Sequence, residues 1–250
     1  MDRSFPFLHT SGPNDAETDP AVIRRTRQEE AVLGYRLFGS FGWGDDGAGH
    51  ISARDPERTD HFWLLGYGIP FRSATMEDLV LIGPDGTVVE GDRDYNPAAF
   101  TIHGPIHEAR PDVACVAHTH TPYGTPFAAL AKPMRMMSQE ACAFYHDQGL
   151  FEGEEVDVLD YAVGRRLAVS LGGGRLLVLA NHGLLSVGPT VAEAIGSFIM
   201  AERACEVQVK VPHGRVISDQ AAANAYKSVG SRENAWHVFE WCVRSRLMTR

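Results

Sequence analysis

Along this chain the apolar residues alternate between helical spacing and short continuous runs. Asp19-Pro20 offers an N-cap with proline in the first turn, and Ala31, Gly34, Tyr35 and Phe38 then share one face, which predicts a helix ending near Gly39. Asn96-Pro97 repeats the signal, with a stripe of Ala99, Ile102, Ile106 and Ala109 up to Arg110-Pro111 and a bend expected at Pro105. A further helix is predicted from Thr121-Pro122 toward Leu130, and another over 159–171 that stops at Gly172-Gly173-Gly174. Thr190-Val191-Ala192-Glu193 is a capping box opening a long helix whose core face carries Ala194, Phe198, Ala201 and Cys205. The segment after Val211 ends in a last helix with Trp236, Phe239 and Trp241, read as packing or subunit contact.

Between the helices lie strands. His50-Ile51-Ser52-Ala53-Arg54 leaves a glycine-rich loop that begins at Phe41 and ends at Gly49, and Phe62-Trp63-Leu64-Leu65 precedes a turn at Gly66-Tyr67-Gly68-Ile69-Pro70. Two apolar runs, 79–82 and 87–89, flank Asp85-Gly86 and predict a hairpin, hence antiparallel pairing. The run 113–120 is β-branched and ends in histidines; 176–180 is a second buried strand, entering Asn181-His182-Gly183. Glu152, Glu154, Glu155 and Asp157 read as a solvated loop. Residues 1–18 lack periodicity and are expected to be an irregular tail, leaving 19–250 as one domain.

Composition narrows the classes. With 44% hydrophobic and 22% charged residues the chain can bury a sizeable core. A formal charge of −9 without any run of Lys or Arg argues against nucleic acid. Cys115, Cys142, Cys205 and Cys242 are scattered in apolar surroundings and read as reduced core thiols. No apolar run is long enough to span a membrane and the N-terminus lacks a signal-peptide core, so a cytoplasmic protein is expected.

Candidate chemistry centres on His118-Thr119-His120. Side chains alternate along a strand, so His118 and His120 face one side while Thr119 faces the other. Two imidazoles converging at a strand end are half of a tetrahedral Zn²⁺ site, and His182 sits at the end of another strand. His103 and His107 fall i, i+4 on a helix: either a second ligand pair, or one pocket-facing and one solvated histidine. The glycine loop carries no nucleotide-binding pattern.

Several motifs together carry a family resemblance. Ile51-Ser52-Ala53-Arg54 after a glycine loop, Gly68-Ile69-Pro70, Arg110-Pro111-Asp112 leading into Val116-Ala117-His118-Thr119-His120, and Asn181-His182-Gly183 resemble, in order and spacing, the class II aldolase/adducin family from about Ala21 onward. The resemblance implies an α/β fold: a single three-layer α/β/α domain with a central mixed, largely antiparallel sheet. It implies a homo-oligomer, tetramer or dimer, with sites at subunit interfaces as in fuculose-phosphate aldolase. It also implies a divalent metal on His118, His120 and His182, Zn²⁺ first, with Fe²⁺ or Mn²⁺ also suited. Three neutral ligands leave an open position, as in catalytic sites. An open dication polarises a ketone, which favours chemistry at a bond next to a carbonyl.

The chain departs from the sugar-phosphate aldolases at a decisive place. Their Pro-Ser-Ser-Glu motif falls on Asn96-Pro97-Ala98-Ala99, so the carboxylate that moves protons becomes Ala99 and the phosphate-holding serines are missing. His50 stands where the family has asparagine and Tyr67 where it has threonine. These changes point to the adducin-like branch and to a non-phosphorylated small-molecule substrate. Glu140, Tyr67, Tyr145, His50 and His103 are the candidates to replace the missing acid/base group. Trp43, Trp63, Tyr67 and Phe71 suit an apolar substrate if they are not core. The reading is a lyase, aldolase or decarboxylase in type, on an oxo or hydroxy acid. The alternatives are a non-haem Fe(II) oxygenase acting on an aryl 2-oxo or 2-hydroxy acid at the same histidines, and a non-catalytic adducin-like scaffold.

Overall fold

The computed structural model describes residue 13, residues 15–44 and residues 46–248. Most of the expected irregular tail, residues 1–12 and 14, lies outside the described residues; within it Asp15 is tied to the fold by a 2.7 Å ion pair with Arg232.

Eight strands form one sheet: β1 (Gly49–Arg54), β2 (Phe62–Leu65), β3 (Leu79–Ile82), β4 (Val88–Glu90), β5 (Cys115–Thr119), β6 (Gln148–Phe151), β7 (Leu176–Leu179) and β8 (Gly183–Gly188). Their order is β4-β3-β2-β1-β5-β8-β7-β6, and every pairing is antiparallel except β6 with β7. The helices are α1 (Pro20–Ser40), α2 (Pro97–Ala109), α3 (Gly124–Ala128), α4 (Tyr161–Leu171), α5 (Val191–Lys210), α6 (Asp219–Val229) and α7 (Arg232–Leu247). Ile51, Ala53, Cys115, Ala117 and Val178 pack on one side of the sheet with side chains of α1, α5 and α7. Val116, Leu177, Leu179 and Leu185 pack on the other with α2 and α4. Both faces are thus covered, which is why β7 reads as the unbroken apolar run Leu176-Leu177-Val178-Leu179. The mixed, largely antiparallel sheet between helical layers matches the expected fold.

The helix starts follow their caps. Asp19, Asn96 and Thr190 each accept a backbone N–H of the first turn, and Pro20 and Pro97 occupy positions whose N–H needs no partner. α2 runs through Pro105 without ending. The helix expected from 121 to 130 shortens to Gly124–Ala128, because buried Glu202 of α5 accepts from Thr121 Oγ1 at 2.6 Å and from the amides of Tyr123 and Gly124 at 2.9 and 2.7 Å. These bonds hold 121–124 as a cap. Strands β6 and β8 and helix α6 add to the elements expected, and all four cysteines are free and buried, as expected. Among the described residues no helix is long and apolar enough to cross a membrane.

Helix α2 lies close to α4 because Gly164 has no side chain: a Cβ there would stand 1.9 Å from the carbonyl oxygen of Thr101. Gly164→Ala must therefore push apart the two helices, and overpacking of this kind costs about 1–3 kcal/mol. Gly173→Ala, with nothing within 4 Å of its Cβ, should change stability by less than about 0.5 kcal/mol. Urea unfolding of the two variants checks the contrast.

Candidate metal centre and adjoining cavity

Strand β5 lies between β1 and β8, and its alternation sends Cys115 and Ala117 into the α1/α5 core while His118 turns to the opposite face. His120 follows just past the strand end. His182 comes from the tight turn joining β7 to β8, where Asn181 takes a φ of 60°, a conformation asparagine tolerates better than most residues. One ring nitrogen from each of His118, His120 and His182 lies within 4.8 Å of the others. The rings meet at 80–85°, with centroids 4.8–5.4 Å apart.

This donor set fits a divalent ion. His118 Nδ1 donates to the Leu184 carbonyl at 2.7 Å, which leaves its Nε2 lone pair free for a metal, the usual outer support of a ligating imidazole. Burial pushes the His118 pKa well below the usual histidine value and, helped by His120, brings His182 to about 4. Both are neutral at pH 7 and able to ligate.

A second array abuts the first. His50 on β1 is the cross-strand partner of His118, with ring centroids 5.1 Å apart. Its Nδ1 is 2.7 Å from His103 Nε2; His103 Nδ1 is 2.7 Å from Ser52 Oγ, and Ser52 Oγ is 2.8 Å from His107 Nε2. His103 and His107 are therefore not a second metal pair, since both nitrogens of His103 are engaged, one by His50 and one by Ser52. Nor is His107 the solvated member: it is 4% exposed and stacked on Phe62. Ser52 was missed from sequence, although its i, i+2 spacing from His50 on a strand placed both on one face.

His50 also lines a cavity of about 870 Å³, together with Tyr67, Phe71, Tyr95 and Ala99. Asp46 and Asp94 lie at its wall, and no Lys or Arg does among the described residues. The aromatic candidates divide: Trp43 and Trp63 are core, Phe71 is buried in the same core but also borders the cavity, and the largely exposed Tyr67 lines it. Glu140, at the start of the 3₁₀ turn Ala141–Phe144, joins neither the three-histidine cluster nor the cavity wall, and Tyr145 meets His146 in a tilted ring contact. The structure thus brings His50, His103 and Tyr67 to the site and leaves Glu140 and Tyr145 outside it.

The sequence profile of the class II aldolase and adducin N-terminal domain matches residues 29–209. Among curated proteins, the 4-hydroxy-3-prenylphenylpyruvate oxygenase/4-hydroxy-3-prenylbenzoate synthase of Streptomyces roseochromogenus subsp. oscitans is 41% identical, over 84% of this chain and 77% of that one. The decarboxylase NovR of Streptomyces niveus is 37% identical over 91% and 88%. Among solved structures, the L-fuculose 1-phosphate aldolase of Glaciozyma antarctica PI12 superposes with a TM-score of 0.87 at 32% identity, covering 97% of this chain and 96% of that one.

The buried histidines make the fold acid-sensitive. His50, His103, His107 and His118 are held well below the usual 6.5 by burial, and His182 is at about 4. In the unfolded chain all five take up protons near 6.5, so their stabilisation is present above that pH and is lost as the pH falls below it. Glu30, buried and accepting the Ala192 amide, runs the other way: its carboxyl is raised to about 7, so its stabilisation is present below about 4.5 and lost as the pH rises through 7. Metal-free protein in EDTA should therefore have a higher urea midpoint at pH 7.5 than at pH 5. Glu30→Gln should widen that difference.

Proposed function

The chain belongs to the class II aldolase and adducin family, and on that premise we propose that it is a metal-dependent carbon–carbon lyase, decarboxylase or aldolase in type, acting on a small non-phosphorylated oxo or hydroxy acid. The observation that carries this reading is the convergence of His118, His120 and His182 beside His50 and the cavity it lines, with Ala99 at the cavity wall where the aldolase motif has a glutamate. A divalent ion held by the three histidines, Zn²⁺ first and Fe²⁺ or Mn²⁺ also suited, would draw electrons from a carbonyl oxygen of the substrate.

The rest of the chemistry falls to the chain's own groups. Decarboxylation asks less of an acid/base residue than aldol cleavage does, because CO₂ leaves without a proton transfer and only the carbon left behind must be protonated. The imidazole of His50, packed against His118 and lining the cavity, is placed to handle that proton; His103 holds His50 through the 2.7 Å bond to Nδ1. Tyr67, at the exposed rim, orients the substrate by its hydroxyl. The cavity wall argues against a sugar phosphate, since a phosphate would meet Asp46 and Asp94 and, among the described residues, no cation, while Phe71 and Tyr95 offer apolar surface to an aryl group. The decarboxylase relative supports the same direction. As in the aldolases it resembles, the chain is proposed to work as a homo-oligomer.

A second reading rests on the 41% identical relative named as an oxygenase: Fe²⁺ on the same histidines and consumption of O₂. Protein purified anaerobically without added metal is assayed for metal content and then, with aryl 2-oxo acids, for CO₂ release and O₂ uptake. About one Zn²⁺ per chain with CO₂ release and no O₂ uptake is expected. Stoichiometric O₂ uptake replaces the lyase by the oxygenase, and absence of any bound metal overturns both in favour of an adducin-like assembly module. His118→Ala should weaken metal binding by about 100-fold or more, exceeding the ~10–100-fold cost of losing an outer-sphere partner.

A further inference from the structure

Of the three clustered rings, only that of His118 is held by a protein hydrogen bond among the described residues. His120 lies just past the end of β5 and is exposed, so the backbone around it carries its position. That backbone is anchored by helix α5. Glu202, 4% exposed, accepts Thr121 Oγ1–H at 2.6 Å and the Gly124 amide at 2.7 Å on one carboxylate oxygen, and the Tyr123 amide at 2.9 Å on the other. All three donors lie within four residues of His120.

The same anchor reaches a second histidine. Helix α3 starts at Gly124, and the carbonyl of its last residue, Ala128, accepts the Asn181 amide at 3.1 Å. Asn181 immediately precedes His182. The helix is therefore a short strut, joined to His120 by the chain at one end and to the turn of His182 by a hydrogen bond at the other. Gly124 lets the strut close on β8: a Cβ there would stand 2.9 Å from Leu184 Cδ1 and 3.0 Å from Glu202 Oε2, and Leu184 is the residue whose carbonyl orients His118. Burying a carboxylate is costly even when it is hydrogen-bonded, and a side chain of the turn itself, as at Asp19 or Asn96, would cap α3 without that cost.

We infer that Glu202 is a positioning residue of the metal centre: through α3 it sets where His120 stands relative to His182, and with that the affinity for a divalent ion. The inference rests on the three-histidine reading proposed above, and it adds a carboxylate that belongs neither to the cluster nor to the cavity wall. Ligand atoms must meet an ion within about 0.2 Å of their ideal distances, so a small shift of residues 121–124 is enough to weaken binding.

Zn²⁺ binding to the metal-stripped full chain, measured by competition with a chromophoric chelator and set beside the urea midpoint in EDTA, tests this. Glu202→Gln keeps the shape but turns an NH₂ group toward donors, and should weaken Zn²⁺ binding by about 10–100-fold, the range for losing the outer support of a ligand. Thr121→Val removes one of the three bonds and should fall between that variant and the wild type. Gly164→Ala, overpacked where α4 meets α2, should lower the urea midpoint yet bind Zn²⁺ as the wild type does, which separates positioning from lost stability. When His120 is already alanine, adding Glu202→Gln should change the affinity by less than about twofold, because the side chain it positions is gone. Wild-type affinity in Glu202→Gln, or an equal loss with and without His120, overturns this inference alone; should Glu202→Gln fail to fold, Thr121→Val decides in the same two backgrounds. A wild-type chain that takes up no Zn²⁺ overturns the metal reading and this inference together.

Discussion

The site depends on one register: β1 pairs with β5 so that His50 stands opposite His118. Side chains alternate with period two, so this single pairing puts His50 and Ser52 on the face that already carries His118 and His120, against helix α2. A slip of one residue would turn β1 over and bury His50 among the side chains of α1. The register is guarded from the other side, where Tyr35 of α1 donates its hydroxyl to the Ile51 carbonyl and accepts the Ile51 amide, both at 2.7 Å. The face seen by α2 is also pinned by Arg54, whose guanidinium binds the carbonyls of His107, Arg110 and Val113. Strand, helix and histidines are thus locked in one alignment.

Much of this was legible in the sequence, for physical reasons that can be stated. Helix starts were marked by Asp19-Pro20 and Asn96-Pro97, whose capping chemistry is local and needs no tertiary context. The joint orientation of His118 and His120 follows from strand alternation alone. What escaped depended on neighbours distant in sequence. Strand β8, six residues bounded by glycines, is apolar because β5 and β7 enclose it, and nothing in a run that short separates it from a loop. Strand β6 owes its existence to parallel pairing with β7. From spacing, His103 and His107 read as a ligand pair or as one pocket-facing and one solvated histidine, yet Ser52, fifty-five residues before His107, provides the hydrogen bond that lets His107 be buried. Glu140 qualifies by its chemistry as one of five candidates, and only tertiary placement sets it apart from the three histidines and the cavity wall.

The concentration of histidine on one face also bears on the choice between enzyme and scaffold. A buried imidazole costs desolvation and must find partners, and an apolar residue of similar volume would pack there without that cost. The fold instead buries His50, His103, His107 and His118 and makes itself vulnerable to acid. A module that merely assembles gains nothing from the arrangement. Stability given up at one locus, in a form suited to ligation and proton handling, is the pattern expected of a functional site.

The replacement of a carboxylate by Ala99 then has a consequence for the substrate as well as for proton transfer. A dication bound by three neutral imidazoles keeps its full charge, whereas a carboxylate ligand would offset half of it. On the reading proposed above, such an ion would attract an anionic oxygen strongly, in a surrounding of low dielectric where such attraction is least screened. The cavity wall, with Asp46, Asp94 and no cation among the described residues, would repel a second negative group, and Phe71 and Tyr95 would reward apolar surface. Under the proposed function, a molecule with one carboxylate adjoining a carbonyl or hydroxyl, and a neutral aromatic body, would suit both the ion and the wall.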